Sequence, residues 1–243
     1  GARFNFFCKA ALAALPYLKL SPQVIHCNDW QTALIPLFLK VKLTDDPYYN
    51  NMGTLLTIHN LQYQGHFDRG ILRTLALGDE FFTPEKLEFY GRVNFLKAGL
   101  IYADVLNTVS KKYALEIQTP EMGEGLDGVL RTRAKDLYGI INGIDYDEFN
   151  PETDPHIKVN YNIDTWEKKR ENKTFLQNEL DLENKDVPLI GMVTRLVEQK
   201  GIDLVGSIAD QLASLDVQFV LLGAGEDRYQ EMFTKLALKY RRK

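Results

Sequence analysis

The chain has 243 residues, of which 45% are hydrophobic and 26% charged, and its formal net charge at pH 7 is −4. This near balance argues against a nucleic-acid partner, which normally calls for a basic stripe. The two cysteines, Cys8 and Cys27, form no disulfide framework. No apolar run reaches the roughly 18 residues that a membrane span needs. The composition is therefore that of a globular chain with one large core or two small ones.

Both ends of the sequence have the pattern of an interrupted helix. Apolar side chains at helical spacing are already present between Phe4 and Leu12, and the last residues form an amphipathic pattern over 229–240. We therefore expect the sequence to be a piece of a longer protein. The lack of a targeting peptide then indicates nothing about location.

Short apolar runs rich in β-branched residues alternate with longer helical patterns, which is typical of βαβ units and parallel sheets. The predicted strands are residues 24–27, 54–58, 105–109, 138–141, 189–193 and 217–222. The predicted helices are residues 32–42, 85–103, 111–117, 165–180, 202–212 and 229–240. For the helix over 165–180, we expect a capping box formed by Asp164 and Glu167.

Turn-forming residues are concentrated after Asn142. Residues 142–145 (Asn-Gly-Ile-Asp) and 150–155 (Asn-Pro-Glu-Thr-Asp-Pro) contain few apolar side chains, and a second strand–helix–strand set follows them. This pattern predicts two incomplete α/β domains, one over residues 1–142 and the other over residues 143–243.

Polar residues follow the carboxyl ends of four predicted strands, where open α/β sheets bind their ligands. In chain order they are Asn28 and Asp29 (followed by Trp30), then His59 and Asn60, then Asn142, then Thr194, Arg195 and Lys200. The sequence therefore predicts that these side chains form the edges of a ligand-binding crevice.

Simpler explanations exist for these residues. Asp29 is placed to cap the helix predicted from Thr32, and a lone histidine such as His59 is more often a hydrogen-bonded core residue. Arg195 and Lys200 are also compatible with solvated charges. Two cations five residues apart, in a strand-to-helix loop beside the positive end of a helix, instead favour a site for a diphosphate.

Two other short patterns are set aside. Gly223-Ala224-Gly225-Glu226 follows a strand, but Arg228 stands where a dinucleotide-binding fingerprint has its third glycine. Asp145-Tyr146-Asp147 is an acid-x-acid pattern of the kind that holds a divalent metal, but it lies in a turn and three-residue matches arise by chance. We therefore predict no metal site and no cofactor.

Five spaced motifs resemble those of bacterial glycogen synthases and plant starch synthases, in the same order and over essentially the whole chain. They are residues 24–31 (Val-Ile-His-Cys-Asn-Asp-Trp-Gln), 57–65 (Thr-Ile-His-Asn-Leu-Gln-Tyr-Gln-Gly), 95–99 (Phe-Leu-Lys-Ala-Gly), 142–145 (Asn-Gly-Ile-Asp) and 194–201 (Thr-Arg-Leu-Val-Glu-Gln-Lys-Gly). Gln31 stands where many members of the family have histidine, which we interpret as a tolerated variant.

The resemblance implies a GT-B fold, in which two Rossmann-like, doubly wound domains hold the donor in the cleft between them. Residues 1–142 then belong to the acceptor-side starch synthase domain. Residues 143–243 comprise the interdomain segment and the first part of the nucleotide-sugar-binding domain. The implied reaction transfers glucose from ADP-glucose to the non-reducing end of an α-1,4-glucan with retention of configuration. It needs no metal, because cationic side chains supply the electrostatic stabilisation. The implied location is the bacterial cytoplasm, or the plastid in a plant.

The resemblance also implies a role for each candidate residue. Arg195 and Lys200 hold the diphosphate of ADP and stabilise it as the leaving group, and His59 contacts the transferred glucose near its 6-hydroxyl and anomeric centre. The residues that position the donor sugar or the acceptor end are Asp29, Asn60 and Asn142. The residues that form part of the sugar-binding wall are Trp30 and Tyr63.

Two motifs of that family are missing from the sequence: a Lys-Thr/Ser-Gly-Gly-Leu loop that contacts ADP-glucose, and a Glu-Pro-Cys-Gly-Leu stretch with an essential carboxylate. We therefore expect residues 1–243 alone not to synthesise glucan. Three alternatives stay open. They are another GT-B glycosyltransferase that uses a UDP-sugar or releases glucose 1-phosphate, a non-catalytic glucan-binding fragment, and a nicotinamide-dependent oxidoreductase, against which the broken glycine fingerprint argues.

Overall fold

The computed structural model describes residues 1–241. The chain divides into two compact units, the first Gly1–Gly143 and the second beginning at Ile144. This boundary falls beside the division predicted at Asn142. Each unit contains a parallel sheet with helices, so the predicted α/β class is confirmed.

The first unit contains seven strands, seven α-helices and two short 3₁₀ helices (Asp79–Phe81 and Ala134–Asp136) among the described residues. The strands are β1 (Val24–Asn28), β2 (Gly53–Ile58), β3 (His66–Phe67), β4 (Glu88–Phe89), β5 (Arg92–Asn94), β6 (Val105–Thr108) and β7 (Leu137–Gly139). The helices are α1 (Ala2–Tyr17), α2 (Asp29–Thr32), α3 (Leu34–Val41), α4 (Ile71–Leu75), α5 (Phe95–Tyr102), α6 (Lys111–Glu116) and α7 (Asp127–Thr132).

The main sheet of the first unit has the order β1-β2-β6-β7, and all its strands are parallel. Asn28 at the end of β1 is paired with Thr57, which in turn is paired with Asn107 in β6. Because the strands are parallel and in sequential order, their carboxyl ends meet at one edge. The segments that carry Asp29, His59 and Asn142 therefore leave the sheet on the same side.

One face of this sheet packs against α3 and α5. Leu56 of β2 and Leu106 of β6 are fully buried, as are Leu34 of α3 and Phe95 of α5. Helix α3 is apolar around its whole circumference from Leu34 to Leu39, which suits a helix enclosed on all sides. This core fixes the strands whose ends carry the candidate site.

The two cysteines are free and lie in this core. Burial raises the pKa of Cys8 to about 11. Burial, together with the nearby Cys8, raises the pKa of Cys27 to about 12. Both thiols therefore stay protonated at neutral pH and act as small apolar side chains.

The helix predicted over 85–103 is wrong in its first half. Residues before Phe95 instead form a small antiparallel sheet of order β3-β5-β4. Asn94 begins α5, because its side chain accepts a hydrogen bond from the Lys97 backbone N–H at 2.9 Å. The buried Lys97 ammonium donates to the carbonyls of Pro84 (2.5 Å) and Glu88 (2.6 Å) and so holds the hairpin against the helix.

Other boundaries also differ from the prediction. The helix expected over 32–42 is divided at Ala33 into α2 and α3, and the strand expected over 138–141 is Leu137–Gly139. The predicted capping box is also wrong. Asn162, not Asp164, caps the 3₁₀ turn Ile163–Lys168, and it pairs reciprocally with Thr165. The reciprocal hydrogen bonds between Asn162 and Thr165 therefore replace the pairing expected from the local Asp-x-x-Glu pattern.

The second unit contains two strands and four α-helices in its described part, besides the 3₁₀ helices Ile163–Lys168 and Glu198–Lys200. The strands and α-helices are β8 (Leu189–Val193), β9 (Gln218–Leu222), α8 (Lys169–Glu179), α9 (Ile202–Ser207), α10 (Ala209–Ser214) and α11 (Asp227–Lys239). Strands β8 and β9 are parallel, and the helix predicted over 202–212 is divided into α9 and α10. Gln177 and Gln218 are both buried, and their side-chain amides are hydrogen-bonded at 2.7 Å, which ties α8 to β9.

Over residues 1–241, no helix has the length and apolar character to cross a membrane.

Candidate active site

His59 is held by two consecutive residues at the end of the neighbouring strand. The His59 backbone N–H donates to Oδ1 of Asp29 at 2.8 Å, and its ring Nε2 lies 2.9 Å from Oδ1 of Asn28. Strands β1 and β2 end side by side, so these contacts join the two carboxyl ends directly. The imidazole is exposed to solvent yet fixed in position.

Asp29 has a left-handed backbone with φ = +54°, although it is not a glycine and is the first residue of α2. Such a conformation costs roughly 1–3 kcal/mol, and residues that adopt it cluster at functional sites. The turn is closed by Thr32, whose hydroxyl accepts from the Asn28 N–H at 2.6 Å and donates to the Asn28 carbonyl at 2.8 Å. The alternative that Asp29 is a helix cap is therefore wrong, since its carboxylate bonds to His59 instead.

The loop after His59 is closed by local hydrogen bonds. Oδ1 of Asn60 accepts from the Gln62 N–H at 3.0 Å, and the Asn60 carbonyl accepts from the Tyr63 N–H at 3.3 Å. Leu61 is fully buried, and its N–H donates to the Tyr113 hydroxyl at 3.2 Å. This loop therefore presents Asn60 and Tyr63 on a rigid backbone.

Tyr113 connects this loop electrostatically to its surroundings. Burial of the ring raises the pKa of Tyr113, the hydrogen bond from Leu61 opposes that shift, and the carboxylates of Glu124, Asp29 and Glu116 add to it. The phenol is therefore neutral at physiological pH and serves as a fixed hydrogen-bonding group. The sequence pattern placed Asn28 among the polar residues of the crevice edge but indicated no separate role for it, and it carried no signal for Tyr113. The only sequence signal for Asn28 was its place next to Asp29 at a strand end.

The remaining predicted residues of the first unit lie in different surroundings. Trp30 is half-buried and packs edge-to-face on Phe4, with ring centroids 4.7 Å apart, and against Phe67 at 6.0 Å. Tyr63 is 50% exposed, and Asn142 is exposed beyond the end of β7. The structure thus brings Asp29, His59 and Asn60 together at one edge, while the Trp30 ring packs in an aromatic cluster with Phe4 and Phe67.

The cationic loop belongs to the second unit. Arg195 and Lys200 are exposed, and neither forms an ion pair with any residue from 1 to 241. The loop is fixed against the end of β9, since the Leu196 N–H donates to the Ala224 carbonyl and the Glu226 N–H donates to the Leu196 carbonyl, both at 2.9 Å. The cations therefore project from a well-supported backbone.

The glycines after β9 have a packing role that the dinucleotide fingerprint does not describe. A Cβ atom on Gly223 would overlap the carbonyl oxygen of Thr194, and one on Gly225 would overlap that of Leu196. Only glycine permits this close approach between the two strand ends. The Gly-Ala-Gly sequence thus supports the loop that carries Arg195.

The Asp145–Asp147 pattern also has a structural role. Oδ1 of Asp145 accepts from the backbone N–H groups of Asp147 (2.9 Å) and Glu148 (3.2 Å), which closes a turn. Within residues 1–241, no group of three or more His, Cys, Asp or Glu side chains is arranged to hold a metal ion.

Comparisons with known proteins agree with the motif series. A family model of the starch synthase catalytic domain matches residues 1–132. The glycogen synthase of Moorella thermoacetica is 62% identical over 242 residues, which are 100% of this chain and 50% of that protein. The glycogen synthase of Thermotoga maritima is 52% identical over 241 residues, again with 50% of that protein covered. The chain thus spans about half the length of the curated relatives it matches.

A solved structure shows the same fold. The catalytic domain of starch synthase IV from Arabidopsis thaliana, bound to ADP and acarbose, has a TM-score of 0.90 and 34% sequence identity to this chain. The match covers 99% of this chain and 50% of that one. The predicted relationship to a GT-B starch synthase catalytic domain is confirmed by this similarity.

Proposed function

This chain belongs to the family of starch synthase catalytic domains, and from that premise we propose that the longer protein is a glycogen synthase. The proposed reaction transfers glucose from ADP-glucose to the non-reducing end of an α-1,4-glucan, with retention of configuration. The proposed location is the bacterial cytoplasm. Support comes from the glycogen synthases at 52–62% identity and from the Arabidopsis relative that binds ADP and acarbose.

The observation that carries this proposal is the imidazole of His59, held by Asn28 and Asp29 at the carboxyl edge of a parallel sheet. Ligands of open α/β sheets bind at that edge. A side chain that contacts a reacting sugar should be held in place before the substrate binds. Otherwise the entropy lost in ordering that side chain would offset part of the rate enhancement it provides. The two bonds to His59 provide this preorganisation.

Arg195 and Lys200 supply the second part of the proposed chemistry. Negative charge increases on the diphosphate as its bond to glucose breaks, so a cation near it stabilises the transition state more than the ground state. Neither cation is neutralised by a carboxylate of the described chain, and their charge is therefore available to a diphosphate. No enzymic nucleophile is needed if the acceptor hydroxyl attacks on the face that ADP leaves.

The full-length protein should transfer labelled glucose from ADP-glucose to glycogen at a much higher rate than from UDP-glucose. Because the proposed electrostatic groups are side chains, the rate should be unchanged in EDTA. Equal rates with both donors would favour the UDP-sugar alternative, and loss of activity in EDTA would contradict the metal-free proposal. Binding of glycogen without any transfer would favour the non-catalytic alternative.

A further inference from the structure

The turn between β4 and β5 carries a residue that its backbone does not favour. Phe89 pairs with Arg92, and the two residues between them, Tyr90 and Gly91, have φ values of +47° and +78°. A two-residue hairpin turn with both φ values positive is the type for which Asn-Gly, Asp-Gly and Gly-Gly are preferred. A bulky L-residue in the first position is strained, so Tyr90 needs another explanation.

Burial of the ring does not provide that explanation, because Tyr90 is 81% exposed. The ring is nevertheless fixed in place. It packs edge-to-face on Phe89, with centroids 4.7 Å apart and an interplanar angle of 84°. A Cβ atom on Gly125 would lie 3.0 Å from Phe89 and 3.2 Å from Tyr90, so this part of the loop over residues 121–127 lies against both rings. Tyr90 is thus an exposed aromatic platform with little freedom to move.

The buried side chain of Gln64 connects this platform to the candidate active site. Its Nε2 donates to the carbonyl of Glu124 at 3.0 Å, and its Oε1 accepts from Nδ2 of Asn94 at 2.6 Å. Gln64 immediately follows Tyr63 in the loop that starts at His59. The platform and the loop over residues 121–127 are therefore attached to the same rigid segment that presents the proposed sugar-binding residues.

Acidic side chains in the neighbouring loop over residues 121–127 favour a neutral ligand with hydroxyl groups. Glu121 and Glu124 are exposed in the loop over residues 121–127, and their carboxylates accept hydrogen bonds from hydroxyls but repel a diphosphate. The one cation of the hairpin, Arg92, lies 3.6 Å from a carboxylate oxygen of Asp68. A rigid tyrosine offers a large amphipathic surface at a low entropic cost, which suits the C–H face of a pyranose ring.

We propose that Tyr90 is a binding platform on which a glucose unit of the α-1,4-glucan stacks. This inference rests on the proposed function, because it takes the glucan from there. Ligand binding then explains why a tyrosine occupies this strained position, where the turn by itself favours asparagine.

The test compares Tyr90→Asn, Tyr90→Phe and the control Tyr17→Asn in the full-length protein. Tyr17 is 88% exposed at the end of α1 and makes none of the Tyr90 contacts. Tyr90→Asn should raise the KM for glycogen and the Kd in glycogen-affinity electrophoresis roughly fivefold to tenfold. The KM for ADP-glucose and the kcat at saturating glycogen should not change, and the Tm should be equal or higher because asparagine suits the turn. Tyr90→Phe and Tyr17→Asn should behave as the wild type.

Three results for Tyr90→Asn would overturn the inference. The first is an unchanged affinity for glycogen. The second is a higher KM for ADP-glucose, which would indicate stacking on the nucleotide base, and the third is a lower Tm, which would give Tyr90 a structural role. Electrophoresis separates this inference from the proposed function. A wild-type protein that binds glycogen through Tyr90 but transfers no glucose would support the platform and refute the enzyme activity.

Discussion

Oδ1 of Asn28 and Nε2 of His59 lie 2.9 Å apart, across the ends of two adjacent parallel strands. Because the oxygen of an amide only accepts, Nε2 is the donor of this hydrogen bond and the imidazole is oriented by it. Asn28 is thus a positioning residue: it orients the imidazole of His59, which in turn contacts the substrate in the proposed reaction.

Asn28→Ala in the full-length protein should lower kcat about tenfold, because the imidazole loses the bond that orients it. The KM for ADP-glucose should change much less. Asn28→Asp keeps an acceptor at the same place and should retain most of the activity. Gln23→Ala, at an exposed position just before β1, is the matched control. If Asn28→Asp were as inactive as Asn28→Ala, orientation of the ring would not be the cause.

Arg195→Ala and Lys200→Ala should each lower kcat by more than they raise the KM for ADP-glucose. Loss of one contact to the developing charge costs on the order of 3 kcal/mol, which is about a hundredfold in rate. Lys235→Ala removes an exposed cation of α11 in the same unit and should leave both constants unchanged. Steady-state kinetics with varied ADP-glucose decides the matter: an unchanged kcat with a raised KM would make both residues ordinary binding determinants.

Arg133 should be important for the stability of the first unit. Its guanidinium donates to the carbonyls of Leu100, Ile101, Ala103 and Asp104 at the end of α5, at distances from 2.5 to 3.3 Å. Arg133→Met leaves these acceptors without a partner and should cost about 3 kcal/mol. Amide hydrogen exchange over residues 95–102 should accelerate, while the exposed Lys135→Met control should exchange as the wild type does. Equal protection in both variants would show that water replaces the guanidinium at no cost.

Asp104 should make the stability depend on pH in the acid range. Burial by itself raises the pKa of Asp104, but hydrogen bonds from Lys40 and Thr54 outweigh it and hold that pKa below the ordinary value of 3.8. A depressed pKa means that the unfolded chain binds the proton more readily. The contribution is therefore fully present above about pH 5 and is lost as the pH falls below about 4.

Asp104→Asn should thus lower the free energy of unfolding by about 1 kcal/mol near neutral pH, since the pair is partly exposed. The difference from the wild type should shrink as the pH falls below about 4. Thermal unfolding of the full-length protein across this range measures it, with Asp45→Asn, an exposed position outside this network, as the control. A difference that stays constant with pH would exclude the ionised carboxylate as its source.

The elements that the sequence located correctly are those in which local pattern and tertiary environment agree. Strand β8 has the predicted bounds of 189–193, and β1 and β2 each differ by one residue at one end, because short apolar runs bounded by turn residues favour strands. The parallel order then placed Asp29, His59 and Asn60 at one edge, as predicted. Arg195 and Lys200 were singled out because two cations in a strand-to-helix loop favour an anion site, and their role in binding a diphosphate stays a prediction.

Tertiary structure alone decided the contacts that no local pattern encodes. The apolar spacing of residues 85–94 fits a helix, but Tyr90 and Gly91 adopt positive φ values and Lys97 bonds to two carbonyls of that segment, so a hairpin forms. The partner of Asn28 is 31 positions away, and strand pairing brings the two together only after the sheet has formed. The periodicity of apolar residues indicates only which face of a helix or strand is apolar. The strained backbones of Asp29 and Tyr90 lie in contacts between segments that are distant in the sequence, and periodicity does not predict such contacts.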